Sequence, residues 1–406
     1  MSERIPLWVR AGPGTFEYPK VGTPMRLIGF IVLGCLVSAC DTGPPQGKTP
    51  YQPSAAMLSV LTEYQAMRGI PGAGLSPARA REVPTLVDAA RALPNVHGLP
   101  TDSTDVPQVQ DLTATGAQGA LAARLYRPAL AKDTPAIVFF PGGTWVTGSL
   151  DSADESAREL SARTGWVVVA IRTRLAPEAK FPAAHDDALA AFQWARGQIR
   201  GWGADPTRVV LAGEGAGANL ALSTAMLARD RGVAVPDHLL LITPLAGTSL
   251  RGTSMSESGQ SRPLTRKTVR WAQDEYAPDY GQQDDPRLNL LARSDWAGLP
   301  AATVLLAEID PLRSEGEALA ERLRAAGPLL PGSPGVGTAG PARTEARLFP
   351  GTTHGFFGLG DTVPEAAAAE DYAATRLKAA FYRPAIPVLS GPVTRPTRQR
   401  TMRQRG

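Results

Sequence analysis

The chemistry-bearing residues of this chain begin with a stretch that omits one. "VVLAGEGAGANLAL", residues 209–222, reads as a buried strand, a tight corner and the start of a helix, with Gly213, Gly215 and Gly217 alternating at the corner. A strand–corner–helix of this shape ordinarily presents a serine in the pattern G-x-S-x-G, whose hydroxyl attacks an acyl carbon. The central position here is Gly215, so no acyl-enzyme can form on it. Glu214 and Ser149 are near in sequence but are poor substitutes. Three more loops carry reactive residue types: "PGGTWVTGS" after residues 136–140, "EIDPLRSEGEA" with Asp310, and "PGTTHGFFGL" with His354.

Metal chemistry is not expected. The four histidines, His97, His185, His238 and His354, are scattered without HExxH spacing, and the only cysteines, Cys35 and Cys40, lie near the N-terminus. Neither a cysteine metal cluster nor a disulfide framework is available to the body of the chain, and no cofactor is expected.

The elements that must position these loops follow from periodicity. Residues 55–93 contain two helical segments, the second capped by Ser76 with Pro77 at its first position and interrupted near Pro84. Residues 108–127 alternate around a Gly-bearing turn and read as a hairpin. Apolar strands are expected at 136–140, 166–171, 208–212, 238–242, 302–308 and 344–349, separated by amphipathic stretches such as "AAHDDALAAFQWARGQI" and "EGEALAERLRAAG". Near-continuous apolar strands alternating with helices predict an α/β fold, a mostly parallel sheet covered on both faces. In such a sheet, function gathers at the C-terminal strand ends, where all four loops fall. The Gly/Pro-rich segment 327–343 reads as a loop insertion.

Taken together, the four loops and the segment "TRLAPEAKFPAAHDDALAAFQWAR" resemble the bacterial hormone-sensitive-lipase-like esterases of the α/β-hydrolase fold. The resemblance runs from helices near residue 55 to about residue 382, and 55–95 would be an N-terminal helical cap. It implies carboxylic-ester chemistry with nucleophile, acid and base in the order Ser, Asp, His. Position by position, the resemblance makes Asp310 the acid, His354 the base and Gly215 the vacant nucleophile site, with Glu214 in the family's usual acidic position beside it, expected to point away from the pocket. The bland alternatives are a loop histidine bonded to backbone and an aspartate capping a helix before Pro311. The resemblance also implies an oxyanion hole built from Gly143, Thr144 and Ala216. There the expected His-Gly-Gly-Gly is Pro141-Gly142-Gly143-Thr144, and a β-branched residue strongly disfavours φ above zero. Thr144 would contribute only if its backbone geometry allowed.

Three functions fit these residues. In the first, a hydrolase homologue has lost serine-esterase chemistry and binds a small acyl ester or hydrophobic ligand; the same resemblance extends to the plant gibberellin receptor, which binds without hydrolysing. In the second, water fills the space at Gly215 and His354, steadied by Asp310, acts as general base. In the third, an envelope interaction protein uses its surface, which predicts a pocket filled by side chains of the cap. Oligomeric state is not legible from the residues.

The ends of the chain carry an address. "MRLIGFIVLGCLVSAC", residues 25–40, has a basic residue, a short apolar run and small residues before Cys40, the anatomy of a secretory signal whose "VSAC" resembles a bacterial lipobox. Cys40 would then be lipidated and hold the protein on a membrane of the cell envelope; an uncleaved signal anchor is the alternative. Residues 41–54 read as a Pro/Gly-rich tether, and residues 383–406 as a basic disordered tail. Residues 1–24 fit a start codon assigned too early. The net charge of +4 sits in these ends, since residues 40–394 hold 33 basic and 36 acidic side chains. That balance excludes a nucleic-acid surface from expectation.

Overall fold

The computed structural model describes residues 51–70, 72–93, 108–129, 131–327 and 343–381. The signal and lipobox with Cys40, most of the tether, the insertion at 328–342 and the basic tail lie outside the described residues.

Eight strands form one sheet: β1 (Gln108–Gly116), β2 (Gly119–Arg127), β3 (Thr134–Phe140), β4 (Val167–Ile171), β5 (Ala204–Glu214), β6 (His238–Ile242), β7 (Ala302–Ile309) and β8 (Glu345–Thr353). Their spatial order is β1-β2-β4-β3-β5-β6-β7-β8. The hairpin β1–β2 is antiparallel and pairs antiparallel with β4; every pairing from β4 to β8 is parallel. All the expected strands form.

The helices are α1 (Ala55–Ala66), α2 (Pro77–Ala80), α3 (Leu86–Ala92), α4 (Asp154–Thr164), α5 (Ala183–Gln198), α6 (Ala216–Asp230), α7 (Thr253–Glu257), α8 (Arg266–Tyr276), α9 (Tyr280–Gln283), α10 (Arg313–Ala326) and α11 (Pro364–Ala380). Ser76 caps α2 by accepting from the Arg79 N–H, with Pro77 at the first position. Pro84 falls in the break before α3, where Thr85 and Asp88 close a reciprocal capping box.

Strand alternation divides the core into two layers. On β3, Ala136, Val138 and Phe140 face one layer with α5, α6 and α10, whereas Ile137 and Phe139 face the other with α1, α3, α4 and α11. Both faces are therefore dry, and the central strands need apolar side chains on both sides. All five residues of "VVVAI" in β4 and of "HLLLI" in β6 are buried. Each fully buried Leu, Val or Ile contributes roughly 1.5–3 kcal/mol. The sheet is thus a rigid platform, and its C-terminal edge holds the loops that matter.

Candidate active site

The corner at Gly215 is forced by close approach. A β-carbon on Gly213 would lie 2.3 Å from the Gly217 carbonyl carbon, and one on Gly217 would lie 2.0 Å from the Phe140 carbonyl oxygen. Both positions therefore exclude side chains, and α6 can leave the end of β5 directly against β3. Between them Gly215 has φ +52° and ψ −112°, a region costly for residues with a β-carbon. Its N–H donates to the Ile242 carbonyl at 2.9 Å, and its own carbonyl accepts from Leu245 and Asn219. The corner is held on every side except the one facing the cavity.

Asp310 and His354 meet at that open side. Asp310 follows β7 and is almost wholly buried; its Oδ1 accepts from the Leu312 N–H at 2.9 Å, while Oδ2 accepts from Nδ1 of His354 at 2.9 Å. The aspartate thus closes a turn with one oxygen and orients the imidazole with the other; it does not cap α10, whose N-cap is Leu312 with no side-chain cap. With Nδ1 engaged, Nε2 is the ring atom turned toward Gly215: a β-carbon there would stand 3.2 Å from it. Burial alone would lower the His354 pKa, but the charge and hydrogen bond of Asp310, with the charge of Glu214, raise it above its ordinary value.

The loop after β3 departs from expectation. Thr144 adopts φ +57° and Trp145 φ +64°, following Gly143 at +117°. The β-branched side chain did not keep Thr144 out of the left-handed region. What overrides it is tertiary: Trp145 is buried and stacks on Tyr276 at 5.1 Å, and the Gly143 carbonyl accepts from the Val146 and Thr147 N–H groups and from both threonine hydroxyls. Gly143 itself cannot carry a side chain, since a β-carbon would meet the Thr147 carbonyl oxygen at 2.2 Å. With that carbonyl turned into the loop, the N–H groups of Gly143 and Thr144 have no acceptor among the described residues, and neither does that of Ala216 at the first position of α6. Unused donors of this kind suit a developing or full negative charge.

Glu214 also differs from expectation: it lines the cavity instead of pointing away. Alternation along β5 holds the signal, because Val210 and Ala212 face the layer of α4 and Glu214 continues their row. Its Oε2 accepts from Ser156 of α4 at 3.4 Å. Burial pushes its carboxyl up to about 7, against the pull of His354 and Ser156.

The cavity in front of these groups measures about 470 Å³. Its polar lining is Gly142–Thr144, Glu214 and His354; its apolar walls include Tyr64, Ile70, Leu86 and Val87 of the cap, with Leu264 just before α8 and Trp271 within it. Sequence reasoning missed α8 as a wall because residues 253–283 carry no strand-end motif. The cap helices roof this space without filling it, against the expectation for a pure surface protein. Arg81 holds the roof down, donating to the Val146 carbonyl at 2.9 Å and the Ala176 carbonyl at 2.6 Å, and pairing with Glu178. Among the described residues, no cluster of three or more His, Cys, Asp or Glu side chains could hold a metal ion.

Comparison with known proteins bears on what this arrangement does. A family model described as the alpha/beta hydrolase fold matches residues 137–332. The carboxylic ester hydrolase LipN of Mycobacterium tuberculosis is 36% identical over 257 residues, 62% of this chain and 65% of that protein. The ethyl acetate hydrolase of Pseudomonas putida is 33% identical over 287 residues, covering 69% of this chain and 85% of that protein. Among solved structures, the hyperthermophilic esterase of Pyrobaculum calidifontis superposes with a TM-score of 0.69 at 30% identity, over 80% of this chain and 98% of its own.

Proposed function

Given that the chain belongs to the esterase-like, hormone-sensitive-lipase-related family of α/β hydrolases, we propose that it binds a small acyl or hydrophobic ligand in the family's ester pocket and has lost serine-esterase chemistry. The observation that carries this reading is the pairing of Gly215 with His354. Nδ1 of His354 is held by Asp310, and Nε2 is turned toward a residue that carries no hydroxyl. The cavity of about 470 Å³ falls within the roughly 300–1,000 Å³ of small-molecule sites.

One feature favours a second reading, residual hydrolysis by water. Nε2 of His354 is turned toward Gly215, and the cavity His354 lines is also lined by Gly143 and Thr144, whose N–H groups suit an oxyanion. Water there would attack the ester carbonyl, His354 would take its proton, and the same proton would pass to the leaving alkoxide.

The deciding assay is hydrolysis of p-nitrophenyl acetate and butyrate by the full chain, beside Gly215→Ser, His354→Ala and a buffer blank. The binding reading expects a parent no faster than the blank and a Gly215→Ser variant that hydrolyses. A parent whose turnover vanishes in His354→Ala would replace it with the water mechanism. We further propose that lipidated Cys40 anchors the protein to a membrane of the cell envelope. Retention of Cys40→Ser in the membrane fraction would refute this.

A further inference from the structure

Outside the pocket, the start of α8 carries charge that the fold itself does not use. Residues 258–273 hold four cations, Arg262, Arg266, Lys267 and Arg270, and no carboxylate. Arg270 reaches Asp274 one turn on, at 3.8 Å. Arg262, Arg266 and Lys267 are exposed, and none of the three has an ion pair or a side-chain hydrogen bond among the described residues. Arg266 and Lys267 stand in the first turn of α8, where there is no acidic residue. The helix macrodipole makes that end positive and favours carboxylates there. Within the fold this placement is unfavourable, and an anion outside the fold would reverse its sign. The geometry and charge point to such a partner: we infer that the outer face of α8, with the neighbouring cap, docks on an anionic lipid bilayer.

The apolar side chains among the cations select a bilayer over other anions. Trp271 is half-buried and lines both the ligand cavity and an open groove of about 510 Å³, which it shares with Leu250, Arg266, Lys267 and Arg270. A β-carbon on Gly72 would stand 3.0 Å from the Trp271 ring, so the cap segment next to Ile70 packs against α8. Ile70 also lines the cavity and is 43% exposed. Cations interspersed with an indole and an exposed aliphatic side chain match a membrane interface. There the lipid headgroups are negative, and indole rings sit at their level above the acyl chains. Asp274 and Glu275, which also line the groove, limit the basic strip to the first two turns of the helix. A strip that short is poorly suited to a long polyanion.

The described chain also begins beside this face. Tyr51 lies under the guanidinium of Arg313 at 4.9 Å, and Arg313 pairs with Glu257 of α7 at 2.5 Å. Two residues on, a β-carbon at Gly259 would touch that of Arg266 at 3.4 Å. The tether that follows Cys40 therefore joins the body next to the cations. Docking through this face requires neither a lipid on Cys40 nor a ligand in the pocket. Its consequence for the pocket is that two of the cavity's lining side chains, Ile70 and Trp271, meet the bilayer, where apolar molecules are concentrated.

The test is amide hydrogen exchange of the full chain with vesicles of phosphatidylcholine, alone or with about 30% phosphatidylglycerol. Exchange over residues 262–272 should slow by about fivefold or more with the anionic vesicles and recover in about 0.5 M NaCl. With phosphatidylcholine alone it should stay unchanged. Arg266→Glu combined with Lys267→Glu should remove the protection. Arg200→Glu combined with Arg231→Glu makes the same change of charge at exposed positions before β5 and after α6, and should leave it intact. Should the charge reversal not fold, Arg266→Gln with Lys267→Gln carries the same comparison. Reading this one segment separates the face from any attachment through Cys40 or the basic tail. Unprotected residues 262–272 on anionic vesicles would overturn the proposal, as would equal protection on phosphatidylcholine alone. Protection that survived the substitutions at 266 and 267 would overturn it too. Protection by polyglutamate and not by vesicles would assign the face to an acidic protein instead.

Discussion

The α-carbon of Gly217 is pressed against the carbonyl of Phe140, so closely that a β-carbon would stand 2.0 Å from its oxygen. Gly215, two residues earlier, meets only the edge of an imidazole. Gly217→Ala should therefore abolish soluble folded protein, since backbone would have to give way. Gly215→Ala should fold with a loss of about 1–3 kcal/mol, the usual cost of a side chain in such a backbone region. Urea unfolding followed by circular dichroism separates them, and equal tolerance at the two sites would contradict this account of the corner.

Thr144 predicts the opposite sign. Its left-handed backbone costs a β-branched residue energy that glycine would not incur. Thr144→Gly also loses the contact of its hydroxyl with the Gly143 carbonyl. The expected balance is a gain of up to about 1 kcal/mol in unfolding free energy, read as a higher urea midpoint. A clear loss would mean that the hydroxyl, and not the stacked Trp145, holds the loop.

Asp310→Asn should bring the His354 pKa down from its raised value. The aspartate charge is what outweighs burial of the ring. Imidazole titration by NMR reads this directly, and an unmoved titration would assign the raised value to Glu214 instead.

Glu214 gives a prediction about stability and pH. Its carboxyl is raised in the fold from 4.5 to about 7, so between these values the folded chain binds more protons than the unfolded one. Stability from this group is complete below pH 4.5 and is lost as pH rises through 7. Glu214→Gln should thus be more stable relative to the parent at pH 8 than at pH 4.5, by about 1–3 kcal/mol. The same difference at both pH values would show that Glu214 titrates normally.

Arg81→Ala should loosen the cap and spare the sheet. The guanidinium makes two backbone contacts and an ion pair with an exposed glutamate, of which only the former should matter much. A charged hydrogen bond of this type contributes about 1.5–3 kcal/mol. Amide exchange should accelerate in residues 77–92 and stay unchanged in β3 to β7; a uniform change across the chain would count against a local anchor.

The framework was legible because its signals are local. Runs such as "HLLLI" are buried on both faces and announce themselves, and the loops bearing Asp310 and His354 sit at the ends of such runs. Thr144 was misjudged because propensity weighs one residue, whereas a buried indole and a carbonyl accepting four hydrogen bonds fixed its backbone from outside. Glu214 was recoverable, since alternation from Val210 and Ala212 gives its face. That α8 would supply Trp271 to the same cavity as Tyr64 was not recoverable, because no local pattern links segments two hundred residues apart.

The cavity is assembled from two sources that are held in place by different structural constraints. Its polar end hangs from strand termini, where Gly143, Gly215, Asp310 and His354 are fixed by the sheet itself. Its apolar walls come from the cap and the neighbourhood of α8, anchored by a few polar contacts such as those of Arg81. The two ends can therefore be altered separately. A lineage can exchange the walls and meet new molecules while the polar end stays as it is. The absence of a side chain at Gly215, at the strand-end half of the site, leaves those walls untouched.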